Sequence, residues 1–152
     1  MESISIQIKR LRDSAVLPIY QTDQAAGMDL SADIDAPVVI EPGEIALIPC
    51  GFAMSMPRGF EAQVRPRSGL ATKHGISMPN APGTVDSDYR GEMKVPLINL
   101  GRVAFVVEPK MRVAQMVFAR VARAEISVVN ELSETNRGSG GFGSTGTGHG
   151  PR

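Results

Sequence analysis

The chain has 152 residues, of which 42% are hydrophobic, and its 16 basic residues balance its 16 acidic residues. This length and composition predict one soluble domain with its own core and leave no room for a second catalytic domain. Without a basic excess the chain is not expected to bind DNA or RNA, although a few local cations would suffice for a small anionic ligand.

The amino-terminal sequence and the cysteine content are typical of a cytoplasmic protein. Residues 1–5 lack a basic segment followed by an apolar one, and no apolar run is long enough to span a membrane. We therefore expect a cytoplasmic protein with no membrane partner. Cys50 is the only cysteine, which excludes an intramolecular disulfide and a cysteine zinc cluster. We expect it to be a small buried side chain.

Short apolar runs separated by proline and glycine predict an all-β protein. Ile4, Ile6 and Ile8 alternate with polar residues, which is the pattern of a half-buried strand. Further strands are predicted at residues 38–40, 45–48, 52–56, 60–64, 93–99, 103–107 and 112–121. Many short strands with such turns are typical of a β barrel or jelly roll.

One short helix is predicted at residues 68–74. Ser68 is suited to cap its amino end, and Gly75 is suited to the left-handed residue that ends it. Residues 111–124 also fit an amphipathic helix, but the β-branched Val113 and Val117 and the flanking strands favour a strand there.

The carboxyl-terminal segment has a different composition from the rest of the chain. Residues 137–152 hold seven of the 16 glycines and almost no apolar surface. Ordering glycine costs much entropy, and little burial offsets that cost here. We therefore expect a β-barrel domain at residues 1–132 and a flexible glycine-rich arm at residues 133–152.

The segment from residue 80 to residue 92 has the composition of a recognition hairpin. Pro82-Gly83 and Tyr89-Arg90-Gly91 are turn residues, so Asp86 is expected at the edge of a tight loop. The main chain of such a loop can pair with the edge of a planar base, Tyr89 can lie flat on a sugar, and Asp86 can hold a water. This combination indicates nucleotide chemistry.

Two other segments are candidates for phosphate binding. Arg67, Ser68 and Gly69 stand at the amino end of the predicted helix, although a serine cap beside surface arginines is also ordinary structure. Residues 138–145 nearly match the phosphate-binding loop of P-loop NTPases, but they lack its lysine and its strand-loop-helix frame. The sequence therefore does not predict a P-loop NTPase. Converging glycine N–H groups with Arg137 still fit an anion, and Phe142 can stack on a base. A disordered Gly/Ser tail remains the alternative.

Isolated polar residues on the remaining strands are less specific. Asp29 stands on a short strand, where a solvated carboxylate is the simplest interpretation. Arg112 and Gln115 fit either a structural ion pair and a sheet hydrogen bond or a ligand site. No His, Cys and carboxylate residues have metal-ligand spacing, so a protein metal cage is not expected; magnesium held mainly by substrate phosphates is compatible with this pattern.

In chain order these segments resemble the five motifs of the homotrimeric dUTPases. The matching segments are Ala26-Gly27-Met28-Asp29, Arg67-Ser68-Gly69, residues 80–89, Arg112-Val113-Ala114-Gln115 and residues 137–145. The resemblance spans residues 26–146. It implies a jelly-roll-like β barrel, the β-clip, assembled as a homotrimer whose active sites are shared between subunits.

The resemblance also implies an activity and a set of site residues. The enzyme would hydrolyse dUTP to dUMP and pyrophosphate, which limits uracil incorporation into DNA and supplies dUMP for dTMP synthesis. Asp86 would be the general base that activates the attacking water. The implied substrate-binding residues are Arg67, Ser68, Gly69, Asn80, Thr84, Val85, Tyr89, Lys94, Gln115, Arg137, Ser139, Phe142, Ser144 and Thr145. Mg²⁺ would be bound mainly through the phosphates, with Asp29 contributing at most through water.

Two other functions remain open at this point. A dCTP deaminase has the same architecture and similar phosphate contacts, and a nucleotide-binding protein without turnover would need the same pocket. The pattern from Asp86 to Tyr89 and the arm with Phe142 favour hydrolysis, because a pure binder needs no attacking water.

Overall fold

A computed structural model of the chain describes residues 3–144. This range forms ten β-strands and one α-helix, and the prediction of an all-β protein with one short helix is confirmed. The elements are β1 (Gln7–Arg10), β2 (Met28–Ser31), β3 (Val38–Ile40), β4 (Ile45–Ser55), β5 (Phe60–Pro66), α1 (Ser68–His74), β6 (Ile76–Ser77), β7 (Gly83–Val85), β8 (Glu92–Asn99), β9 (Phe105–Val107) and β10 (Arg112–Arg120).

The backbone divides into two units, Met1–Ala122 and Arg123–Arg152. Every helix and strand of the described range belongs to the first unit. The division that we expect between residues 132 and 133 stays a prediction. Within residues 3–144 no helix is both long enough and apolar enough to cross a membrane.

The strands of the first unit form three antiparallel sheets. Two sheets have four strands each, in the orders β1-β4-β8-β6 and β2-β10-β5-β7, and the third sheet pairs β3 with β9. Among the strands of residues 3–144, β7 therefore lies at the edge of its sheet and has a neighbouring strand on one side only. An edge of this kind offers unpaired N–H and C=O groups to a ligand.

One apolar core holds the three sheets together. Its fully buried side chains come from both large sheets and from the small one, and they include Leu30, Ile48, Val95, Val107 and Met116. Removing this apolar surface from water is the main favourable term in folding. Cys50 belongs to the same core and is a free thiol, as we predict for it.

Two of the predicted strands are one strand in the structure. Residues 45–48 and 52–56 both fall in β4, which continues through Pro49 and Gly51. The pairing of β4 with β8 shifts register between Pro49 and Ala53, and Gly51 has a φ of 71°. Glycine permits this conformation, so the Pro-Cys-Gly sequence marks an irregularity within a strand and not a turn between two strands.

The alternative of a helix at residues 111–124 is wrong, because β10 occupies Arg112–Arg120 and pairs with both β2 and β5. The predicted helix α1 is confirmed at Ser68–His74, and Gly75 ends it with a φ of 70°. The predicted cap is wrong: the capping position is Arg67, whose side chain makes no capping hydrogen bond, and Ser68 is the first helical residue.

The segment from residue 80 to residue 92 is not a hydrogen-bonded hairpin. β7 pairs with β5 in one sheet, whereas β8 pairs with β4 and β6 in the other. The loop between β7 and β8 therefore crosses from one sheet to the other. The loop contains a turn from Asp86 to Tyr89, in which the Tyr89 N–H donates to the Asp86 carbonyl at 3.1 Å, and this turn precedes the one predicted at residues 89–91.

Candidate active site

The loop between β7 and β8 lines a cavity of about 310 Å³. Its lining residues are Leu47, Thr84, Val85, Asp86, Tyr89, Glu92, Met93 and Lys94. Five of the residues predicted from the sequence for the catalytic and binding roles, namely Thr84, Val85, Asp86, Tyr89 and Lys94, are thus brought to one place. Asp86 and Tyr89 stand at the two ends of one turn, and both line this cavity.

Tyr89 is anchored at its far end although its ring is half exposed. Its hydroxyl donates to the Glu92 main-chain carbonyl at 3.0 Å, and its side chain is 47% exposed. A ring held by its hydroxyl and open on the other side presents a flat apolar surface, which is suited to a sugar or a base.

Glu92 lines the cavity but is not among the site residues predicted from the sequence. Its Oε2 lies 3.5 Å from Nζ of Lys94, and its Oε1 accepts a hydrogen bond from the Gly51 N–H at 3.2 Å. Residues two apart on a strand share a face. The spacing of Glu92 and Lys94 was therefore a signal that could have identified the pair.

Asn80 lies beside the start of β7. A Cβ built on Gly83 would be 3.2 Å from its Nδ2, so the amide is adjacent to the first residue of the edge strand. The side chain is exposed, and the peptide bond between Ala81 and Pro82 is cis.

A second group of predicted residues gathers where β2, β5 and β10 meet. Arg67 Nε lies 3.0 Å from Oδ1 of Asp29, and Arg112 Nη1 lies 3.0 Å from Oδ2 of Asp29. Gln115 Nε2 donates to the Pro66 carbonyl at 3.0 Å. The structure therefore brings Arg67, Gln115 and Asp29 together through strand pairing.

Ser68 and Gly69 follow Arg67 at the beginning of α1, and both are exposed. The Ser68 carbonyl accepts a hydrogen bond from the Thr72 hydroxyl at 2.9 Å. A Cβ built on Gly69 would meet no atom of the described residues within 4 Å, which leaves space above its backbone in this part of the chain. A ligand group bound by Arg67 would have room above Gly69.

The residues present do not fit a protein-bound magnesium ion. Residues 3–144 contain no cluster of three or more His, Cys, Asp and Glu side chains that could hold a metal. Both carboxylate oxygens of Asp29 already lie 3.0 Å from a guanidinium nitrogen. Because its charge already faces two cations, Asp29 is ill suited to be a direct ligand of a third cation, whereas the role through water that the resemblance implies stays a prediction.

The described part of the arm, residues 123–144, contains no helix or strand and is almost entirely exposed. Arg137 Nε donates to the Gly140 carbonyl at 2.7 Å, so this side chain folds onto its own loop. Phe142 is fully exposed and has a φ of 48°, and Ser139 and Ser144 are exposed as well. Thr145 lies outside the described residues.

A larger cavity of about 850 Å³ is lined by residues that include Ile4, Ile6, Ile8, Phe60 and Phe118. None of the predicted catalytic or binding residues that the structure describes lies in it. Cavity size therefore does not identify the site, whereas the convergence of polar groups at the smaller cavity does.

Comparison with known proteins agrees with this geometry. The dUTPase family model matches residues 13–146. The deoxyuridine 5'-triphosphate nucleotidohydrolase of Maricaulis maris (strain MCS10) is 56% identical over 151 residues, which cover 97% of this chain and 99% of the relative. The chain belongs to the dUTPase family. The resemblance drawn from the five ordered motifs is confirmed, and so is the predicted enzyme class, dUTP diphosphatase.

Solved structures support the fold. The dUTPase of Staphylococcus bacteriophage 80alpha, determined with dUPNHPP, matches with a TM-score of 0.82 and 27% identity over 93% of this chain and 98% of that chain. A mutant dUTPase from phage phi11 of S. aureus, described with a structural Mg(II) ion, matches with a TM-score of 0.77 and 21% identity over 86% and 99% of the two chains. The predicted jelly-roll-like fold is confirmed.

Proposed function

We propose that this enzyme hydrolyses dUTP to dUMP and pyrophosphate with Asp86 as the general base. The observation that carries the proposal is that Asp86 and Tyr89 line one cavity beside the edge strand β7. The Asp86 carboxylate is suited to hold a water, the Tyr89 ring is suited to a sugar, and the edge of β7 offers backbone groups to a base. Membership of the dUTPase family supports the same substrate.

The cavity is of a size suited to the nucleoside part of the substrate. Its volume of about 310 Å³ lies at the lower end of the roughly 300–1,000 Å³ found for small-molecule sites. Asn80 and the main chain of Thr84 and Val85 would accept the uracil N3–H and donate to its carbonyls. Cytosine presents the reversed pattern and would leave polar groups buried without partners. Tyr89 under the deoxyribose would exclude a 2′-hydroxyl, and Lys94 would contact the nucleotide.

The chemical step is an attack of water on the α-phosphorus. Asp86 accepts a proton from the water as the new oxygen-phosphorus bond forms, and the bond from the α-phosphorus to the bridging oxygen breaks. Pyrophosphate leaves with the electron pair of that bond. Arg67, Ser68, Gly69 and Gln115 would stabilise the charge that develops on it.

We assign the remaining roles on the motif resemblance. Arg137, Ser139, Ser144 and Thr145 would hold the γ-phosphate, and Phe142 would cover the uracil. Exclusion of water by this arm would strengthen every electrostatic contact with the substrate. The arm would serve a site shared between subunits of a homotrimer.

Magnesium would accompany the substrate. Because the described residues do not fit a metal cage, we place Mg²⁺ on the three phosphates and not on this chain. A cytoplasmic location and limitation of uracil incorporation into DNA complete the proposal.

A panel of nucleotides tests the reaction. The purified enzyme is incubated with Mg²⁺ and each of dUTP, dCTP, dTTP, dATP, dGTP and UTP, and pyrophosphate, orthophosphate and ammonia are measured. We expect pyrophosphate from dUTP alone. Ammonia from dCTP would instead indicate a deaminase, and no product from any nucleotide would indicate a protein that binds without turnover.

The variant Asp86→Asn tests the role of the carboxylate. We expect it to bind dUTP with near-normal affinity and to lose at least ~100-fold in kcat, in line with loss of a general base. Asp88→Asn is a matched control, because Asp88 lies in the same loop but does not line the cavity. Undiminished turnover in Asp86→Asn, or an equal loss in Asp88→Asn, would contradict the assignment.

A further inference from the structure

Asp29 lies between two arginine side chains. Its Oδ1 is 3.0 Å from Arg67 Nε and its Oδ2 is 3.0 Å from Arg112 Nη1. The Asp29 side chain is only 15% exposed, and that of Arg67 is 28% exposed. An ion pair with little exposure is screened less by water and salt than a surface pair.

The strand register creates this cluster. Asp29 on β2 is opposite Gln115 on β10, and Ala114 on β10 is opposite Pro66 at the end of β5. Arg67 directly follows Pro66, and Arg112 precedes Ala114 by two residues. Three strands that are distant in sequence therefore deliver one carboxylate and two guanidinium groups to the same end of the sheet.

A second contact fixes the plane of the Arg67 guanidinium. Arg67 Nη1 donates to the Arg112 main-chain carbonyl at 3.1 Å. A guanidinium is planar and its N–H groups have a fixed arrangement, so holding Nε and Nη1 also sets the direction of Nη2. An arginine that is already oriented loses less side-chain entropy when it binds an anion.

We propose that Asp29 is a positioning residue that holds Arg67 ready for the triphosphate, and that it is not a ligand of the magnesium ion. This inference rests on the proposed function, in which Arg67 contacts the phosphates. Asp29 acts through Arg67 and does not touch the substrate. The negative charge of Asp29 is paired with Arg67 and Arg112, and magnesium binds only to the nucleotide.

The variant Asp29→Asn separates the positioning role from the metal role. It keeps the size of the side chain but removes its charge, and it adds an N–H₂ donor that cannot pair with a guanidinium. Binding of the imido analogue dUpNHpp is measured by calorimetry over a series of Mg²⁺ concentrations. We expect the Kd to rise ~5–10-fold, consistent with the cost of ordering a free arginine on binding. We also expect the Mg²⁺ concentration for half-maximal binding to change less than twofold.

Two further variants show whether Asp29 acts through Arg67. In an Arg67→Ala background, Asp29→Asn should change the Kd less than twofold, because the residue that it positions is gone. Arg112→Gln is the matched control: it removes one of the two ion pairs of Asp29 but keeps the pair with Arg67 and the carbonyl that Arg67 donates to. We expect a smaller loss from Arg112→Gln than from Asp29→Asn.

The possible outcomes distinguish this inference from the proposed function. A large shift in the Mg²⁺ requirement of Asp29→Asn, or equal losses in the presence and absence of Arg67, would overturn the positioning role. If Arg67→Ala bound dUpNHpp as tightly as the unchanged enzyme, the proposed phosphate contact would itself be wrong. Normal dUTP hydrolysis by the unchanged enzyme, with no effect of Asp29→Asn, would reject only the inference.

A measurement without any variant covers the case in which Asp29→Asn does not fold. Mn²⁺ is added to the nucleotide-free enzyme, and paramagnetic broadening of the Asp29 backbone amide is followed by NMR. We expect no broadening at Asp29 at millimolar Mn²⁺. Broadening that saturates with Mn²⁺ and is strongest at Asp29 would show a metal ion bound beside this residue and would overturn the inference.

Discussion

The phenol ring of Tyr89 packs directly against the α-carbon of Gly91. A Cβ built on Gly91 would lie 2.3 Å from the Tyr89 hydroxyl oxygen and 2.5 Å from Cζ. No side chain fits at residue 91 while the ring stays in place. Gly91 therefore supports the position of Tyr89 in the cavity, although it makes no contact of its own with a ligand in the proposed site.

We expect Gly91→Ala to displace the Tyr89 ring and to lower kcat/KM for dUTP by at least ~10-fold, because the surface under the deoxyribose is lost. Selectivity for dUTP over UTP should fall as well. Steady-state kinetics with both nucleotides measure these effects.

A double-mutant cycle is the control for this prediction. Once Tyr89→Ala has removed the ring, adding Gly91→Ala should cost less than twofold more, since nothing remains to be displaced. If Gly91→Ala lowered kcat/KM by the same factor with and without Tyr89→Ala, Gly91 would affect activity by a route other than the Tyr89 ring.

Gly51 is a second position where only glycine fits. A Cβ there would lie 2.1 Å from Oδ2 of the buried Asp33 and 2.7 Å from the Cβ of Ala15, and its φ is 71°. Gly43 has a similar φ of 85° but nothing within 4 Å of a built Cβ. The two glycines thus share a backbone requirement and differ in the space around them.

We expect Gly43→Ala to lower the free energy of unfolding by ~1 kcal/mol through the left-handed backbone alone. Gly51→Ala should cost ~1–3 kcal/mol more, because buried neighbours must move. Urea unfolding at one fixed protein concentration measures both variants. Equal losses would show that crowding at residue 51 is relieved without cost.

Burial makes the Cys50 thiol a very weak acid. Loss of hydration raises the pKa of Cys50 to about 12, and the charges of Glu92 and Asp33 act in the same direction. Because the thiolate is the reactive form, we expect iodoacetamide at pH 8 to label the folded protein at least ~100-fold more slowly than the unfolded chain. Mass spectrometry with and without guanidinium chloride measures the difference, and equal labelling rates would contradict the burial of Cys50.

The same shift in pKa predicts a loss of stability at alkaline pH. In the unfolded chain the thiol ionises near its ordinary pKa of 9.0, whereas in the folded protein it stays protonated until about pH 12. Above pH 9 the unfolded state therefore binds fewer protons, and the free energy of unfolding falls as the pH rises towards 12. Cys50→Ala lacks this contribution, so its urea midpoint should fall less between pH 9 and pH 11 than that of the unchanged enzyme.

Removal of the arm should separate stability from catalysis. Within residues 3–144 every buried core residue precedes residue 117, so deletion of residues 137–152 should change the Tm little. Hydrolysis of dUTP should become poor, since the groups assigned to the γ-phosphate are lost. Deletion of residues 147–152 alone is the control and should leave both properties unchanged. Scanning calorimetry measures the Tm, and the pyrophosphate assay measures activity. Unfolding of the chain that lacks residues 137–152 would contradict the prediction that the arm contributes to catalysis and not to stability.

Local patterns in the sequence predicted most of the secondary structure. A short apolar run between prolines identified the strand at Val38–Ile40, β-branched residues and flanking strands identified the strand at Arg112–Arg120, and Gly75 correctly marked the end of α1. Two local predictions close to the site were wrong. The serine cap failed because Arg67 occupies the capping position, and the hairpin failed because β7 and β8 pair in different sheets.

The sequence by itself determined the family, the strand content and the segments that carry polar chemistry, because turn residues, periodicity and motif order are local properties of the chain. Only the tertiary structure decided which of these residues meet. The pairing of β2, β10 and β5 joins Asp29, Arg67 and Arg112 across 83 residues of separation, and the crossing loop brings Asp86 and Tyr89 to the cavity lined by Glu92 and Lys94 of β8. Contacts of this kind depend on strand register, which packing of the whole core selects and no single segment encodes.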